Sequence, residues 1–419
     1  MRGFARVSVA VPACAVGSSR KNVEETIALW RQAHEQRSAL VVFPELGLST
    51  YTARDMFFDR ALQDGALAAL ERIVEESREL APLGVVGMPL QTPHGLYNVA
   101  VAVQRGAVLG VVPKSYLPNY REFEERRWFR PGTEVPPGES TQLFGAKVPF
   151  GTDLLFEADG LADLVVGLEL CEDLWVQLPP SMLQVGAGAT VCCNLSASNF
   201  TIGKADLRRL LAQSASDRGK CAYLYVAAGP GESSTDLAFD ADAFVCENGS
   251  LLAQSRRFAR AGQIVTVDVD LDALTHERRV TGTFGDCAME TGGPWHWRRV
   301  TFQAQPAPGL LRAIPAHPFL PRDEATLATR AWEIFEIQTN ALATRMAALG
   351  GTAKLVIGVS GGLDSTHAAL VAAGALDLCK RPRTDLVCVT MPGLGTSDAT
   401  KGNAAALAES LGATLRTIS

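Results

Sequence analysis

The stretch Gly358-Val-Ser-Gly-Gly-Leu-Asp-Ser365 decides the fold of the C-terminal part of this chain. It follows an apolar run at residues 353–357, which predicts a buried strand, and it precedes an apolar run at residues 366–375 that is typical of a helix. In such a strand–loop–helix unit, glycines let backbone N–H groups approach phosphate oxygens, and the helix dipole favours negative charge. The stretch therefore predicts an anion-binding loop, although it lacks the Gly-Lys-Ser/Thr of a Walker A loop.

Length and composition restrict the class of protein. A chain of 419 residues exceeds one ordinary core, so at least two domains are expected. With 47% hydrophobic and 20% charged residues, the composition is that of a globular protein. The net charge of −6 argues against a nucleic-acid partner, and the lack of a long continuous apolar run argues against a membrane span.

The first residues and the cysteines indicate the compartment. The N-terminus lacks the long apolar segment of a signal peptide and is interpreted as a first strand. The nine cysteines are an odd number and contain no Cys-x-x-Cys pair, which is typical of reduced, buried thiols. A cytoplasmic location is therefore expected, and the dispersed histidines favour no zinc site.

The order of strand and helix patterns predicts the domains. Strand-like and helix-like segments alternate over residues 5–275, which predicts an α/β domain. A proline-rich stretch at residues 306–321 is interpreted as a linker. We therefore predict a first α/β domain at 1–275, a connecting segment at 276–325 and a second α/β domain at 326–419. This last domain is expected to be incomplete, because it shows few of the strands that an open nucleotide-binding sheet needs.

Three reactive residues each follow an apolar run in the first domain, where the end of a strand holds a side chain rigidly. They are Glu45, Lys114 and Cys171. Neighbouring carboxylates raise the pKa of a thiol, whereas a nearby lysine favours the thiolate, and a glutamate is able to take the thiol proton. Taken singly, each has an ordinary alternative: a carboxylate at a helix start, a surface cation or a core thiol.

Taken together, the segments around these residues resemble the Glu–Lys–Cys triad of the nitrilase-like amidohydrolases over most of residues 5–275. The segments are Val41-Val-Phe-Pro-Glu45-Leu, Val112-Pro-Lys114-Ser and Leu168-Glu-Leu-Cys171-Glu-Asp-Leu-Trp175. The Ser-Gly-Gly-Leu-Asp-Ser string is similar to the pyrophosphate loop of enzymes that adenylate a substrate. In this order, the two parts resemble the glutamine-dependent NAD synthetase family. Further similar strings are Asn194-Leu-Ser-Ala-Ser198, Glu333-Ile-Phe-Glu-Ile-Gln338 and Met391-Pro-Gly-Leu-Gly-Thr-Ser397.

The resemblance implies a nitrilase-like αββα sandwich, followed by part of an adenine-nucleotide alpha-hydrolase-like (Rossmann-like) α/β domain. It also implies that Cys171 attacks the side-chain amide of L-glutamine, with Glu45 as general base and Lys114 stabilising the tetrahedral intermediate. Glu125 matches an additional carboxylate beside the lysine; its alternative is a solvated charge. The residues implied to bind glutamine are Tyr120, Ser198, Lys204 and Glu172.

For the second domain, the resemblance implies a ligase step. ATP adenylates the carboxylate of nicotinic acid adenine dinucleotide, and ammonia displaces AMP to give NAD. Asp364 is expected to contact Mg²⁺, no prosthetic group is expected, and the family implies a homo-oligomer. The residues expected to hold ATP or pyrophosphate are Gly358, Val359, Ser360, Gly361, Gly362, Leu363, Asp364 and Ser365.

Other functions remain open at this point. The chain is interpreted alternatively as a stand-alone nitrilase-like amidase with a vestigial C-terminal segment, or as a non-catalytic scaffold within an oligomer. A different glutamine amidotransferase is disfavoured, since no histidine lies near Cys171 in the sequence and Arg2 follows the initiator methionine.

Overall fold

A computed structural model describes residues 3–293, 295–321, 323–350, 352–391 and 398–418, with the backbone alone at 398–401. The chain divides into two compact units, Met1–Ala313 and Ile314–Ser419. The domain boundaries predicted from the sequence stay a prediction. The loop predicted at residues 391–397 lies, after Met391, outside the described residues.

The first unit alternates strands and helices along most of its length. Its strands are β1 (Phe4–Val11), β2 (Leu40–Val42), β3 (Leu83–Thr92), β4 (Gly95–Gln104), β5 (Ala107–Pro113), β6 (Ser140–Leu143), β7 (Ala146–Pro149), β8 (Leu154–Asp159), β9 (Val165–Leu170), β10 (Val191–Ser196), β11 (Ala222–Ala227), β12 (Ala243–Glu247), β13 (Ser250–Gln254), β14 (Gln263–Asp270) and β15 (Arg298–Gln303). Its helices are α1 (Ser19–Glu35), α2 (Arg60–Glu76), α3 (Pro180–Gly186), α4 (Lys204–Gly219), α5 (Leu271–Val280) and α6 (Gly282–Glu290).

Two mixed sheets form the centre of this unit. In the described residues, one sheet has the strand order β14-β1-β2-β3-β4-β5 and the other β13-β12-β11-β10-β9-β8-β15. Their inner faces share one apolar core, in which Val7 and Val85 of the first sheet lie with Leu168 and Val226 of the second. The strands β2 and β9 are buried along their whole length, which explains why their sequences are apolar apart from the buried Glu169 of β9.

Helices cover the outer face of each sheet and complete four layers. Helix α1 buries Val23, Ile27 and Trp30, spaced at i, i+4 and i+7, against the first sheet. Trp30 lies so close to Gly84 of β3 that a Cβ there would meet the indole ring at 2.2 Å, so this position requires glycine. Helix α4 packs Ala212 and other small residues against the second sheet.

The sheet topology brings strand ends that are far apart in sequence to one place. Strand β2 runs parallel to β1 and β3, and β9 runs parallel to β10. Since adjacent parallel strands end at the same sheet edge, residues that directly follow them are held close to one another. The chain segments that follow β2, β5 and β9 carry Glu45, Lys114 and Cys171.

The second unit contains a parallel sheet with the strand order β16-β17-β18 among its described residues. Asp323 caps its first helix by accepting a hydrogen bond from the Thr326 N–H at 2.8 Å. Its elements are α7 (Glu324–Ala348), β16 (Leu355–Gly358), α8 (Leu363–Leu378), β17 (Leu386–Thr390), α9 (Asp398–Leu411) and β18 (Thr414–Thr417).

Candidate active site

A buried lysine joins two carboxylates at the centre of the first unit. The Lys114 ammonium donates hydrogen bonds to Glu45 Oε1 and Glu125 Oε1, both at 2.7 Å. All three side chains are at most 1% exposed. Buried charges of this kind persist only when they are paired, so these three residues depend on one another for charge compensation.

Backbone and amide contacts fix both ends of the Lys114–Glu45 pair. Asn98, on strand β4, donates its side-chain amide to Glu45 Oε1 at 2.7 Å and accepts the Lys114 N–H through its backbone oxygen at 2.9 Å. The other Glu45 oxygen accepts the Ala197 N–H at 2.7 Å. Glu45 is therefore held from β4, from Lys114 and from the segment after β10.

Charge is unevenly balanced here, because one ammonium faces two carboxylates. Burial, together with the charge of Glu45, raises the pKa of Glu125 to about 7, although Lys114 opposes this. Burial lowers the pKa of Lys114, but the two carboxylates outweigh burial and raise it well above its ordinary value. Lys114 is therefore a permanent cation, whereas Glu125 titrates near neutrality. Glu125 Oε2 has no hydrogen-bond partner within the described part of the chain.

Cys171 lies in a constrained turn directly after β9. Its φ of +41° falls in the left-handed region, which costs a non-glycine residue about 1–3 kcal/mol. The turn continues as a short 3₁₀ helix, Cys171–Leu174, and the Asn194 side chain donates to the Cys171 backbone oxygen at 3.4 Å. A strained turn of this kind projects a side chain away from the sheet, as a nucleophile requires.

The Cys171 thiol shares this environment with the charged group. Burial and the negative charge of Glu45 raise its pKa to about 12, while Lys114 and the Ala197 N–H act in the opposite direction. The same Ala197 N–H contacts Glu45, which places the thiol and that carboxylate at one backbone amide. The structure thus brings Glu45, Lys114, Glu125 and Cys171 together.

A cavity of about 520 Å³ opens onto this group. Its volume lies within the ordinary range for small-molecule sites. Cys171 lies in its wall, whereas Glu45 and Lys114 are buried behind it. All four predicted glutamine-binding residues line the cavity, and its wall includes Pro118, Tyr120, Phe123, Cys171, Glu172, Trp175, Ser198 and Lys204.

The polar groups of this cavity carry opposite charges. Tyr120 donates its hydroxyl to Glu172 Oε1 at 2.7 Å. Lys204 donates to Asn199 Oδ1 at 2.7 Å, and its ammonium lies 5.4 Å from the centre of the Trp175 ring. An anionic group and a cationic group that face one cavity are suited to the ammonium and carboxylate of a free amino acid.

Two further carboxyls of the site, Asp173 and Glu232, were not predicted from the sequence as functional residues. Asp173 accepts backbone N–H groups from Leu170, Ser115 and Tyr116. Glu232 accepts the Tyr51 N–H at 2.8 Å, and the Tyr51 hydroxyl donates to Glu125 Oε1 at 3.0 Å. Because these partners are backbone amides or lie far away in the chain, only the strand-end position of Asp173 was visible beforehand.

The predicted anion loop lies between β16 and α8. The Ser365 hydroxyl accepts the Ser360 N–H at 3.2 Å and donates to the Gly362 oxygen at 3.1 Å. Gly361 has a φ of +80°, a conformation that glycine adopts without strain. Asp364 lies in the first turn of α8 and is exposed. No group of three metal-ligating side chains was found within the described residues.

Comparisons with known proteins match both units. The carbon–nitrogen hydrolase family model matches residues 9–279, and the NAD synthase model matches residues 336–419. A glutamine-dependent NAD(+) synthetase of Mycobacterium tuberculosis is 46% identical over 99% of this chain and 61% of its own length. One of Thermotoga maritima is 29% identical over 97% of this chain and 64% of its own length. The resemblance predicted from the sequence is thereby confirmed, and the chain spans less than two thirds of these relatives.

Solved structures agree on the fold. A glutamine-dependent NAD(+) synthetase from Cytophaga hutchinsonii aligns with a TM-score of 0.56 and 20% identity, over 99% of this chain and 65% of that one. A nitrilase-superfamily amidase from Nesterenkonia aligns with a TM-score of 0.51 and 18% identity, over 67% of this chain and 96% of that one. The predicted αββα sandwich and Rossmann-like domain are confirmed. No helix of the described residues is long and apolar enough to cross a membrane.

Proposed function

Because this chain belongs to the carbon–nitrogen hydrolase family, we propose that its first unit hydrolyses the side-chain amide of L-glutamine and releases ammonia. The observation that carries the proposal is the Lys114 ammonium, bonded to Glu45 and Glu125 at 2.7 Å behind a cavity that Cys171 lines. The cavity itself supports an amino acid as substrate. Glu172 with Tyr120 is suited to an ammonium, and Lys204 with Ser198 to a carboxylate.

The proposed first half-reaction forms a thioester. Cys171 Sγ attacks the amide carbon while Glu45 takes the thiol proton, and Lys114 stabilises the resulting oxyanion. The C–N bond then breaks, and Glu45 returns the proton to the leaving ammonia. The raised pKa of Cys171 supports this order of events, since a thiol protonated at neutral pH needs a base during attack.

The second half-reaction returns the enzyme to its starting state. Glu45 takes a proton from water, whose oxygen attacks the thioester carbon, and the C–S bond breaks. The sulfur regains a proton and glutamate leaves. Glu125 holds Lys114 in place. We propose that Glu125 also sets the net charge of the buried group that the incoming substrate meets.

For the second unit, we propose binding of ATP at the loop Gly358 to Ser365, adenylation of nicotinic acid adenine dinucleotide, and its amidation by the ammonia. The match to the NAD synthase model and the relatives named above support this ligase function. Asp364 is suited to contribute one carboxylate to Mg²⁺, which proteins commonly hold with one or two carboxylates plus substrate phosphates. A homo-oligomer in the cytoplasm stays a prediction, and the nine free cysteines agree with a reducing compartment.

The test measures glutamate release from L-glutamine by the purified chain, beside its Cys171→Ala variant. Release by the wild type alone supports the proposal, whereas equal release by both proteins, or by neither, contradicts it. Parallel reactions with ATP and nicotinic acid adenine dinucleotide follow NAD formation. Glutamate without NAD in those reactions favours the alternative of a stand-alone amidase.

A further inference from the structure

We propose that Asp173 is a positioning residue, whose carboxyl group fixes the Cys171 turn to the segment that carries Lys114. This proposal rests on the proposed function, in which Cys171 is the nucleophile and Lys114 stabilises the oxyanion. Asp173 touches neither the reacting atoms nor the substrate cavity, because it lines no part of the cavity wall. Its role is therefore exerted through the residues that it holds.

The contacts of Asp173 reach both segments. Its Oδ2 accepts the Leu170 N–H at 3.0 Å, directly before the nucleophile. The same oxygen accepts the Ser115 N–H at 3.3 Å, and Oδ1 accepts the Tyr116 N–H at 2.9 Å, directly after Lys114. One carboxyl group thus bridges two chain segments, and Asp173 lies 57 residues after Tyr116.

This bridge supplies what the other contacts of Lys114 do not. The Lys114 N–H bonds to the Asn98 oxygen, and the Lys114 oxygen accepts the Gly132 N–H at 2.6 Å. Neither contact connects Lys114 to the turn that carries Cys171. On the other side, Asn194 holds the Cys171 oxygen from β10. Among the described residues, Asp173 is the side chain that hydrogen-bonds to the backbone next to both Lys114 and Cys171.

The burial of Asp173 indicates that the bridge has a specific role. Its side chain is 1% exposed, and a carboxyl is rarely fully buried unless it is paired or hydrogen-bonded. Asp173 also lies two residues after Cys171, whose backbone has a φ of +41°. Such a strained conformation persists only when the surrounding contacts hold it in place. A residue that only stabilised the turn would need no bonds to Ser115 and Tyr116.

Hydrogen–deuterium exchange tests the bridge without relying on any reaction. In Asp173→Ala, backbone exchange should accelerate at least about tenfold both in peptides with Ser115 and Tyr116 and in the peptide with Leu170, since each loses its acceptor. Acceleration in one segment only, or in neither, would overturn the proposal. Asp268→Ala is the control, because Asp268 is also 1% exposed and accepts backbone N–H groups, at Leu311 and Arg312, beside its ion pair with Arg6.

Kinetics then separate positioning from general stabilisation. Asp173→Asn should lower kcat for glutamine hydrolysis at least about tenfold and leave KM within about twofold, because misplacing the reacting groups slows the chemistry while the cavity wall is kept. Asp268→Asn should leave both constants unchanged. An unchanged kcat in folded Asp173→Asn, or an equal loss in the control, would refute the role. A wild type that hydrolyses no glutamine would instead refute the proposed function. In that case the hydrogen–deuterium exchange result would still show whether Asp173 bridges the two segments.

Discussion

Replacing Lys114 with methionine should destabilise the first unit by an amount that grows as the pH rises. The ammonium bonds to Glu45 and Glu125 at 2.7 Å, and none of the three side chains is more than 1% exposed. Removing one partner of a buried ion pair leaves an uncompensated charge and costs about 3–5 kcal/mol. We expect a loss of this size at pH 8.

The pH dependence follows from where the protons go. Without the cation, the folded-state pKa of Glu125, already raised to about 7 by burial, rises further above its value of about 4.3 in the unfolded chain. A group whose folded-state pKa lies above its unfolded-state pKa stabilises the fold at a pH below the unfolded-state pKa. This stabilisation is lost as the pH rises through the folded-state pKa. Each pH unit in between is worth about 1.4 kcal/mol per proton. Because wild-type Glu125 already titrates near 7, the loss in Lys114→Met should fall by about 1.4 kcal/mol between pH 8 and pH 5, to about 2–4 kcal/mol.

The measurement is guanidinium unfolding at both pH values, followed by tryptophan fluorescence, since Trp30 is fully buried in the first unit. The double variant Lys114→Met/Glu125→Gln should recover much of the loss at pH 8, because one of the two uncompensated charges is gone. Arg130→Met, which breaks the exposed pair with Glu134, should show no such pH dependence. A loss in Lys114→Met that is equal at both pH values, or larger at pH 5, would refute the reasoning.

Three further changes examine other parts of the site. Cys171→Ala should abolish glutamate release while unfolding shifts by no more than about 1–3 kcal/mol, and continued release would remove Cys171 as nucleophile. Glu125→Gln should lower the pKa of Cys171 below about 12, because a negative charge that opposes the thiolate is removed; the pH dependence of Cys171 alkylation measures this, and an unchanged or higher pKa would contradict it. Glu232→Gln should lower kcat less than Cys171→Ala does, because Glu232 acts only through Tyr51, whose hydroxyl bonds to Glu125. If this route is correct, Glu232→Gln should no longer lower kcat in a Tyr51→Phe background.

The sequence was sufficient to predict the residues that follow buried strands. Glu45 and Cys171 come after apolar runs, and the alternation of patterns predicts the α/β layers in which such ends meet. The strand–loop–helix arrangement around Gly361 was predictable for the same reason, because strand, glycines and helix are contiguous in the chain. Local order is enough wherever one element follows another directly.

The supporting contacts could not be predicted, because they depend on register and on distant backbone. Glu232 bonds to Tyr51 across 181 residues, and Asp173 bonds to Tyr116 across 57. A carboxylate that accepts a backbone N–H leaves no composition or spacing signal at its partner, since every residue except proline offers the same donor. The positive φ of Cys171 is equally invisible, because no glycine marks it.

The surplus of carboxyls explains how the thiol is controlled. Burial and the charges of Glu45 and Glu125 raise the pKa of Cys171 to about 12, so one lysine does not produce a standing thiolate. A protonated thiol is a weak nucleophile and is slow to oxidise, since the thiolate is the reactive form. In the proposed mechanism, the nucleophile is activated only when an amide lies beside it and Glu45 takes its proton, which demands accurate placement of sulfur, ammonium and carboxylate. This demand is the physical reason for a buried bridge such as Asp173, because a site that relies on a base during attack loses rate with small displacements that a free thiolate would tolerate.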